Sequence, residues 1–286
     1  MLNGCKSQLR NLILLCLTFI GVVFLWADVA YADKPPSKIV FDSTTTPINV
    51  VSFYKSTPET QKDVVSSTLK ASKSFYKSNP GFGSYLVLQS EDGTRVLTLT
   101  QWKDQASYEA FAAQATASES ESYKSESYQA DSYKSSSKSY GKKSDYEKEA
   151  VAPDRTIVYQ IDKTQAPEGV IPGIYGLQTL IQFSDVVAND SETAPTVIAS
   201  IEESFENVVK TVPAPHAAVL LKGLEHSELA MLANWGYSKD ELSDPEKLPD
   251  IDLTSEAVDE LTTSDENLYE VVKVVTPKLP KEKYGS

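Results

Sequence analysis

Between positions 48 and 275 the apolar residues recur with two spacings, the period of two of a half-buried strand and the 3.6 of a helix face. Ile48 to Tyr54 reads as a strand. Thr57 to Lys77 then reads as an amphipathic helix, with Val65, Leu69, Ser72 and Tyr76 on one side and Val64 and Phe75 beside them. Thr57 is the predicted N-cap, Pro58 takes the first helical position, and Asn79-Pro80-Gly81 stops the helix. Two strands follow, Tyr85 to Gln89 and Arg95 to Trp102, around Glu91-Asp92-Gly93, where Asp-Gly is a hairpin signal. A second helix, from about Asp104 to Ala117, carries Tyr108 and Phe111, and a fourth strand is predicted at Thr156 to Ile161.

The second half repeats this order. Ile174 to Phe183 is a predicted strand, and Pro195 to Val212 a helix whose Val197, Ile201, Phe205, Val208 and Val212 form one stripe. Ala217 to Lys222 and Glu228 to Trp235 form a second hairpin, Ser255 to Leu261 stands where a second helix is expected, and Leu268 to Val275 closes as a strand. Pro80 precedes Trp102 by 22 residues, as Pro213 precedes Trp235. Without gaps, Leu86-Val87-Leu88 falls on Val219-Leu220-Leu221 and Gln101-Trp102 on Asn234-Trp235, an internal match. Each half is thus β-α-β-β-α-β, an antiparallel sheet with helices on one face. The hairpin strands are apolar on both faces, so the other face also needs cover. The predicted fold class is α+β: two ferredoxin-like domains packed sheet to sheet in an intramolecular barrel, a built-in pseudo-dimer.

The first 32 residues read as an export signal. Lys6 and Arg10 precede the apolar run Asn11 to Trp26, and Ala30-Tyr31-Ala32 is a small-x-small cleavage pattern, so cleavage after Ala32 is expected, the alternative being an N-terminal membrane anchor. The compartment would be the periplasm, the extracellular space or the thylakoid lumen. Both cysteines, Cys5 and Cys16, lie in this leader, which leaves the rest of the chain without a thiol. Residues 33–46 are Pro/Thr-rich and predict an extended tether. The first domain is placed at 47–166 with an insertion at 118–148, the second at 173–277 with an acidic insertion at 236–266, and 278–286 is a tail. Ser118 to Ser144 holds eleven serines and tyrosines every five residues at 123, 128 and 133, a composition that predicts a surface loop.

A net charge of −13 argues against nucleic-acid binding, which requires clustered excess Lys and Arg. Residues 149–286 carry 25 acidic against 10 basic side chains, and the concentration at Lys239 to Asn267 reads as a solvated face, because it lacks the spacing and turn glycine of a calcium loop. Two histidines and two leader cysteines make a transition-metal site improbable, and no metal or cofactor is predicted. Gly-x-Ser-x-Gly, P-loop and Gly-x-Gly-x-x-Gly motifs are absent.

The run from Ile48 to Phe111, with PINVVSFYK, NPGFGSYLVLQSEDG and LTLTQWKDQASYEAF, resembles the antibiotic biosynthesis monooxygenase (ABM) domain of the dimeric α+β barrel superfamily. Pro80-Gly81-Phe82 and Trp102 followed by an aromatic-bearing helix carry the resemblance, and the second half is a degenerate version of it. The resemblance implies a pocket between sheet and helices. In cofactor-free oxygenases of this family an Asn, a Trp and a Tyr line it; Trp102 and Tyr108 match the last two, and Thr98 stands where the asparagine is expected, a change in which oxygen can be held. Asn49, Phe53, Phe82 and Phe111 are expected ligand-pocket residues, and Met231, Trp235 and Glu241 are the second-half counterparts. A haem-degrading branch uses a histidine; His216 and His226 fall at a strand edge and a turn and do not suit that role. The function this implies is the binding of a small apolar or aromatic ligand, with cofactor-independent oxygenation. The alternative is a non-catalytic interaction protein at a membrane surface, acting through the Ser/Tyr/Lys loop or the acidic face.

Overall fold

A computed structural model describes residues 38–45, 47–75, 79–114, 151–211, 213–224, 228–238, 241, 251–255 and 258–276. The leader, the Ser/Tyr/Lys insertion, parts of the acidic insertion, the tail and His226 lie outside the described residues, as do the side chains of Ser72, Phe75 and Tyr76.

Eight strands close a barrel. The first half supplies β2 (Ile48–Lys55), β3 (Phe82–Ser90), β4 (Arg95–Trp102) and β5 (Arg155–Gln165); the second supplies β7 (Thr179–Ala188), β8 (Ala217–Gly223), β9 (Glu228–Ser238) and β10 (Thr262–Val275). Around the barrel the order is β10-β3-β4-β2-β5-β8-β9-β7, and every pairing is antiparallel. Each half alone is a sheet with the ferredoxin-like order, fourth strand, first, third, second. The halves join edge to edge at β5–β8 and β10–β3, so neither sheet keeps a free edge along the barrel. The two joints are built alike: Tyr159 lies opposite Gly223 and Tyr269 opposite Ser90, and each fourth strand has one bulge, at Ile161/Lys163 and at Val271/Lys273.

Strand periodicity explains the core. Alternate residues point inward, and Val51, Phe53, Leu86, Leu88, Leu97, Leu99, Tyr159, Phe183, Val219, Leu221, Leu232 and Val271 fill the interior as one cluster. The residues between them face helices. α1 (Gln61–Phe75) covers the first sheet through Val64 and Val65 against Tyr85, Val87 and Val96; α2, residues 105–114, covers Trp102. α3 (Ala194–Phe205) and a 3-10 turn, Val208–Lys210, cover the second sheet through Val197, Ile201, Phe205 and Val208.

Four readings are corrected. Residues 38–41 are no tether: Lys38–Val40 is strand β1, paired antiparallel with β6 (Gly173–Tyr175), and buried Ile39, Phe41 and Ile174 plug one end of the barrel. Ile174 to Phe183 is not one strand, because Gly176 and Gln178 take positive φ (88° and 63°) and turn the chain between β6 and β7. The predicted helix to Val212 ends at Phe205. In place of a second helix in the second half, the described residues show a 3-10 turn, Asp259–Leu261, with Ile251, Leu253 and Val258 packed on the sheet.

Candidate functional site

Trp102 ends β4 and points toward the helices. Its ring is buried and carries aromatic contacts on three sides: Phe111 stacked at 4.9 Å and 25°, Phe82 edge-on at 5.5 Å and 85°, and Tyr108 tilted at 5.9 Å. Tyr108 and Phe111 are three residues apart, so α2 presents both to the same ring. The indole N–H donates to Thr100 Oγ1 at 3.0 Å, two residues back on the same face.

Local sequence seats α2 there. Asp104 Oδ1 accepts from the Ser107 N–H (2.8 Å) and hydroxyl (2.6 Å) at the start of the helix, and these bonds hold the carboxyl below the usual carboxylate range. The Lys103 N–H donates to the Gly81 carbonyl at 2.7 Å. Gly81 has φ +85°, and a Cβ there would lie 2.3 Å from Ser107 Oγ. Pro80-Gly81-Phe82 is therefore the seam at which the α2 helix meets β3.

Two clefts of about 400 Å³ each flank the cluster. One is lined by Val40, Asp42, Pro47, Phe82, Trp102 and Lys103; the other by Asn79, Pro80, Asp104, Ser107, Phe111 and Gln114. Of the seven site residues read from sequence, Trp102, Tyr108, Phe82 and Phe111 come together here. Thr98 shares the face of Trp102 but lies four residues back, about 13 Å along the strand. It sits beside the Tyr54 hydroxyl, whose pKa burial raises while the Thr98 and Ser52 hydroxyls oppose.

Asn49 and Phe53 do not join the pocket, because their odd position in β2 turns them into the barrel. Asn49 Oδ1 accepts from Gln101 Nε2 (3.2 Å), and its Nδ2 donates to the Pro47 carbonyl (3.2 Å). Gln101 Nε2 also donates to the Val40 carbonyl (2.9 Å), and Asn234 Nδ2 in the other half donates to the Gly173 carbonyl (2.7 Å). Gln101 and Asn234 thus tie the β1–β6 plug to both halves. The gapless match of Gln101-Trp102 with Asn234-Trp235 contained this pair.

Phe53 meets Phe183 edge-on at 5.8 Å and lies 4.2 Å beneath the Arg155 guanidinium. Here, at the barrel end opposite the plug, is a cluster that sequence reading missed. Arg155 bonds Asp185 Oδ2, and the Tyr159 hydroxyl donates to Asp185 Oδ1 at 3.0 Å. Arg95 pairs with Asp265 at 2.6 Å, and a cleft of about 310 Å³ opens between these groups. Burial pushes the Asp185 carboxyl up, against the pull of Arg155 and Tyr159. Its only signal in the sequence was a charge at Asp185 in phase with Ile181 and Phe183, on the interior side of the strand.

In the second half Trp235 is buried like Trp102, Met231 is buried, and Glu241 is exposed with Oε2 accepting from the Ser238 N–H at 2.8 Å. Ile251, Leu253 and Val258 fill the space over Trp235. His216 is exposed. Among the described residues no group of three His, Cys, Asp or Glu could hold a metal ion.

Residues 47–119 match the family model described as antibiotic biosynthesis monooxygenase. No curated protein matches the chain. Among solved structures, the chain is similar to an anthrone oxidase-like protein at a TM-score of 0.54 and 15% identity, over 84% of this chain and 96% of that one. It is also similar to a Fusobacterium nucleatum subsp. nucleatum protein named as a monooxygenase (TM-score 0.47, 11% identity, 82% and 99% covered). A third is a Streptomyces coelicolor monooxygenase from the gene ActVA-Orf6 in complex with nanaomycin D, 29% identical over 27% of this chain and 70% of that one, with a TM-score of 0.24. The anthrone oxidase-like structure shows the fold, a ferredoxin-like α+β barrel, and within it residues 47–119 match the antibiotic biosynthesis monooxygenase family.

Proposed function

We propose that the first half binds a small aromatic molecule against the Trp102 cluster and oxygenates it without a cofactor. The observation that carries this reading is the Trp102–Phe111 stack, bracketed by two clefts, each within the size range of small-molecule pockets. A flat electron-rich ring slides against such walls, and Lys103, in the same cleft as Trp102, favours the ionised form of a phenol or enol. An ionised substrate of this kind supplies the electrons itself. For an anthrone, one oxygen atom of O2 becomes the new ring carbonyl, and the other leaves as water with the two methylene hydrogens. On its sequence the leader directs export, so the reaction belongs outside the cytoplasm.

The test is oxygen uptake with hydroquinones and anthrones, read beside tryptophan fluorescence. Uptake without added metal or flavin that is lost in Trp102→Ala and reduced in Tyr108→Phe supports the reading; folded protein that consumes no oxygen across the panel refutes it. One observation favours a second reading, a non-catalytic interaction protein. The Trp102 ring is buried and its N–H is already bonded to Thr100, as in a residue that only packs.

A further inference from the structure

Five large apolar side chains are exposed among the described residues, and four of them gather at the plugged end of the barrel: Ile171 (59%), Leu177 (57%), Tyr237 (45%) and Tyr175 (38%). Tyr175 ends β6, Leu177 lies in the turn to β7, and Tyr237 precedes Ser238, which pairs with Thr179 at the start of β7. The turn is held firmly. The Tyr175 hydroxyl donates to the Ile171 carbonyl (3.1 Å), Thr179 Oγ1 to the Tyr175 carbonyl (3.2 Å) and the Gln178 N–H to the Val271 carbonyl (2.9 Å). Positive φ at Gly176 and Gln178 directs Leu177 outward from this frame.

The fold does not require these residues to be apolar. The offset that lays Trp102 on Trp235 lays Lys38, Asp42 and Thr44 on Ile171, Tyr175 and Leu177. In the first half that turn is polar, closed by the Thr44 N–H and hydroxyl on Asp42 Oδ1 at 2.9 and 2.6 Å. The exposed apolar side chains belong to the second half alone, and folding does not account for them.

We propose that this end of the barrel seats on a lipid bilayer, with Ile171 and Leu177 entering the acyl boundary, Tyr175 and Tyr237 at headgroup level, and Lys38 toward lipid phosphate. Two aliphatic residues on a turn, two tyrosines and a lysine are the composition of a membrane interface. The Lys38 ammonium stands 5.9 Å from the Tyr175 ring centroid, so the charge is part of the patch. Four side chains at one end of the barrel fall short of the roughly 800 Å² per partner that a stable protein interface needs. The described fold begins at Lys38, within this patch, and 11 residues separate it from the apolar run ending at Trp26; a span of that length reaches at most about 40 Å. Where the leader stays uncleaved as the N-terminal anchor its sequence also allows, that tether keeps this end of the barrel within reach of the bilayer. The proposal does not rest on the ligand reading.

The test places an environment-sensitive fluorophore on the full chain, with Cys5→Ser and Cys16→Ser, at Leu177→Cys or, at the opposite end of the barrel, at Glu192→Cys. The chain is reconstituted in vesicles of phosphatidylcholine and phosphatidylglycerol, 3:1 in the assay, with brominated lipid as quencher. Quenching at 177 at least about threefold greater than at 192 is expected, falling to the level of 192 when Ile171→Ser and Tyr237→Ser are added. Labelling at Tyr237→Cys gives the same comparison if Leu177→Cys disturbs the turn. Equal quenching at the two ends overturns the proposal. So does self-quenching at 177 that grows with protein density without lipid quenching, which would mark a second copy as the occupant.

Discussion

Thr100 and Ala233 occupy the same position in the two halves and leave their tryptophans in different states. Trp102 has the Thr100 hydroxyl as acceptor, whereas the buried Trp235 N–H has no partner among the described residues. An unsatisfied buried donor costs about 1–3 kcal/mol. Ala233→Thr offers the acceptor, worth about 1 kcal/mol, but adds two heavy atoms at a fully buried core position, where overpacking costs about 1–3 kcal/mol, so no net gain is expected in urea unfolding. At the other end of the barrel, Arg155→Leu leaves Asp185 buried without its counter-charge. A loss of about 2 kcal/mol is expected, below the usual 3–5 for a broken buried pair because the guanidinium is partly solvated. The pH dependence follows from the raised carboxyl. A folded-state pKa above the unfolded value means that the folded protein holds the proton more tightly, so this contribution favours folding at low pH and is lost as pH rises through the folded pKa. Removing Arg155 raises that pKa further. The variant is therefore expected to lose more stability at pH 8 than at pH 5, and adding Asp185→Leu is expected to recover most of the loss.

At the scale of elements, the period of two made the strands legible and left open which face some of them present. In Ile48-Asn49-Val50-Val51 all four side chains are buried, so the pattern alone could not assign Asn49 and Phe53 to the barrel interior rather than to the helix side. Trp102, Tyr108, Phe82 and Phe111 were legible because helical spacing places 108 and 111 on one face and Pro80-Gly81 fixes where β3 begins. β1 and β6 were not, since three residues are too few to show a period, and their partners lie far off in sequence. Gly81 shows how local the α2 seam is. Gly81→Ala forces a β-carbon against Ser107 at a positive φ, and the expected cost is about 2–3 kcal/mol. Thermal unfolding measures the loss, and a red shift of tryptophan emission is expected as α2 lifts from Trp102. Gly83→Ala, at ordinary φ with 3.2 Å to the Gln101 carbonyl, is expected to do less harm.

At the scale of the molecule, strand register maps one half on the other and exposes an asymmetry that no local pattern could show. Phe53 lies opposite Arg155 in β2–β5, as Asp185 lies opposite Asp265 in β7–β10. By register Asp185 corresponds to Phe53, one residue short of the 133-residue offset, and Asp265 to Arg155; at that offset Glu228 corresponds to Arg95. The first half brings cations to the open end of the barrel and the second brings anions, and the ion pairs Arg155–Asp185 and Arg95–Asp265 both cross between halves. Two first halves paired in the same way would set Arg95 against Arg155, and two second halves would set Asp265 against Asp185. Like charges so placed disfavour both homodimers, while strand edges β3 and β5 of an isolated first half still demand a partner. If residues 38–166 and 167–286 are produced separately, the mixture is expected to assemble 1:1 in size-exclusion chromatography with light scattering. Each half alone is expected to self-associate more weakly, and the preference to shrink as salt screens the partly exposed Arg95–Asp265 pair. Arg95→Glu with Arg155→Glu reverses the first half's charge and is expected to abolish the 1:1 assembly, because the same edges then bring carboxylates together on both sides of the joint.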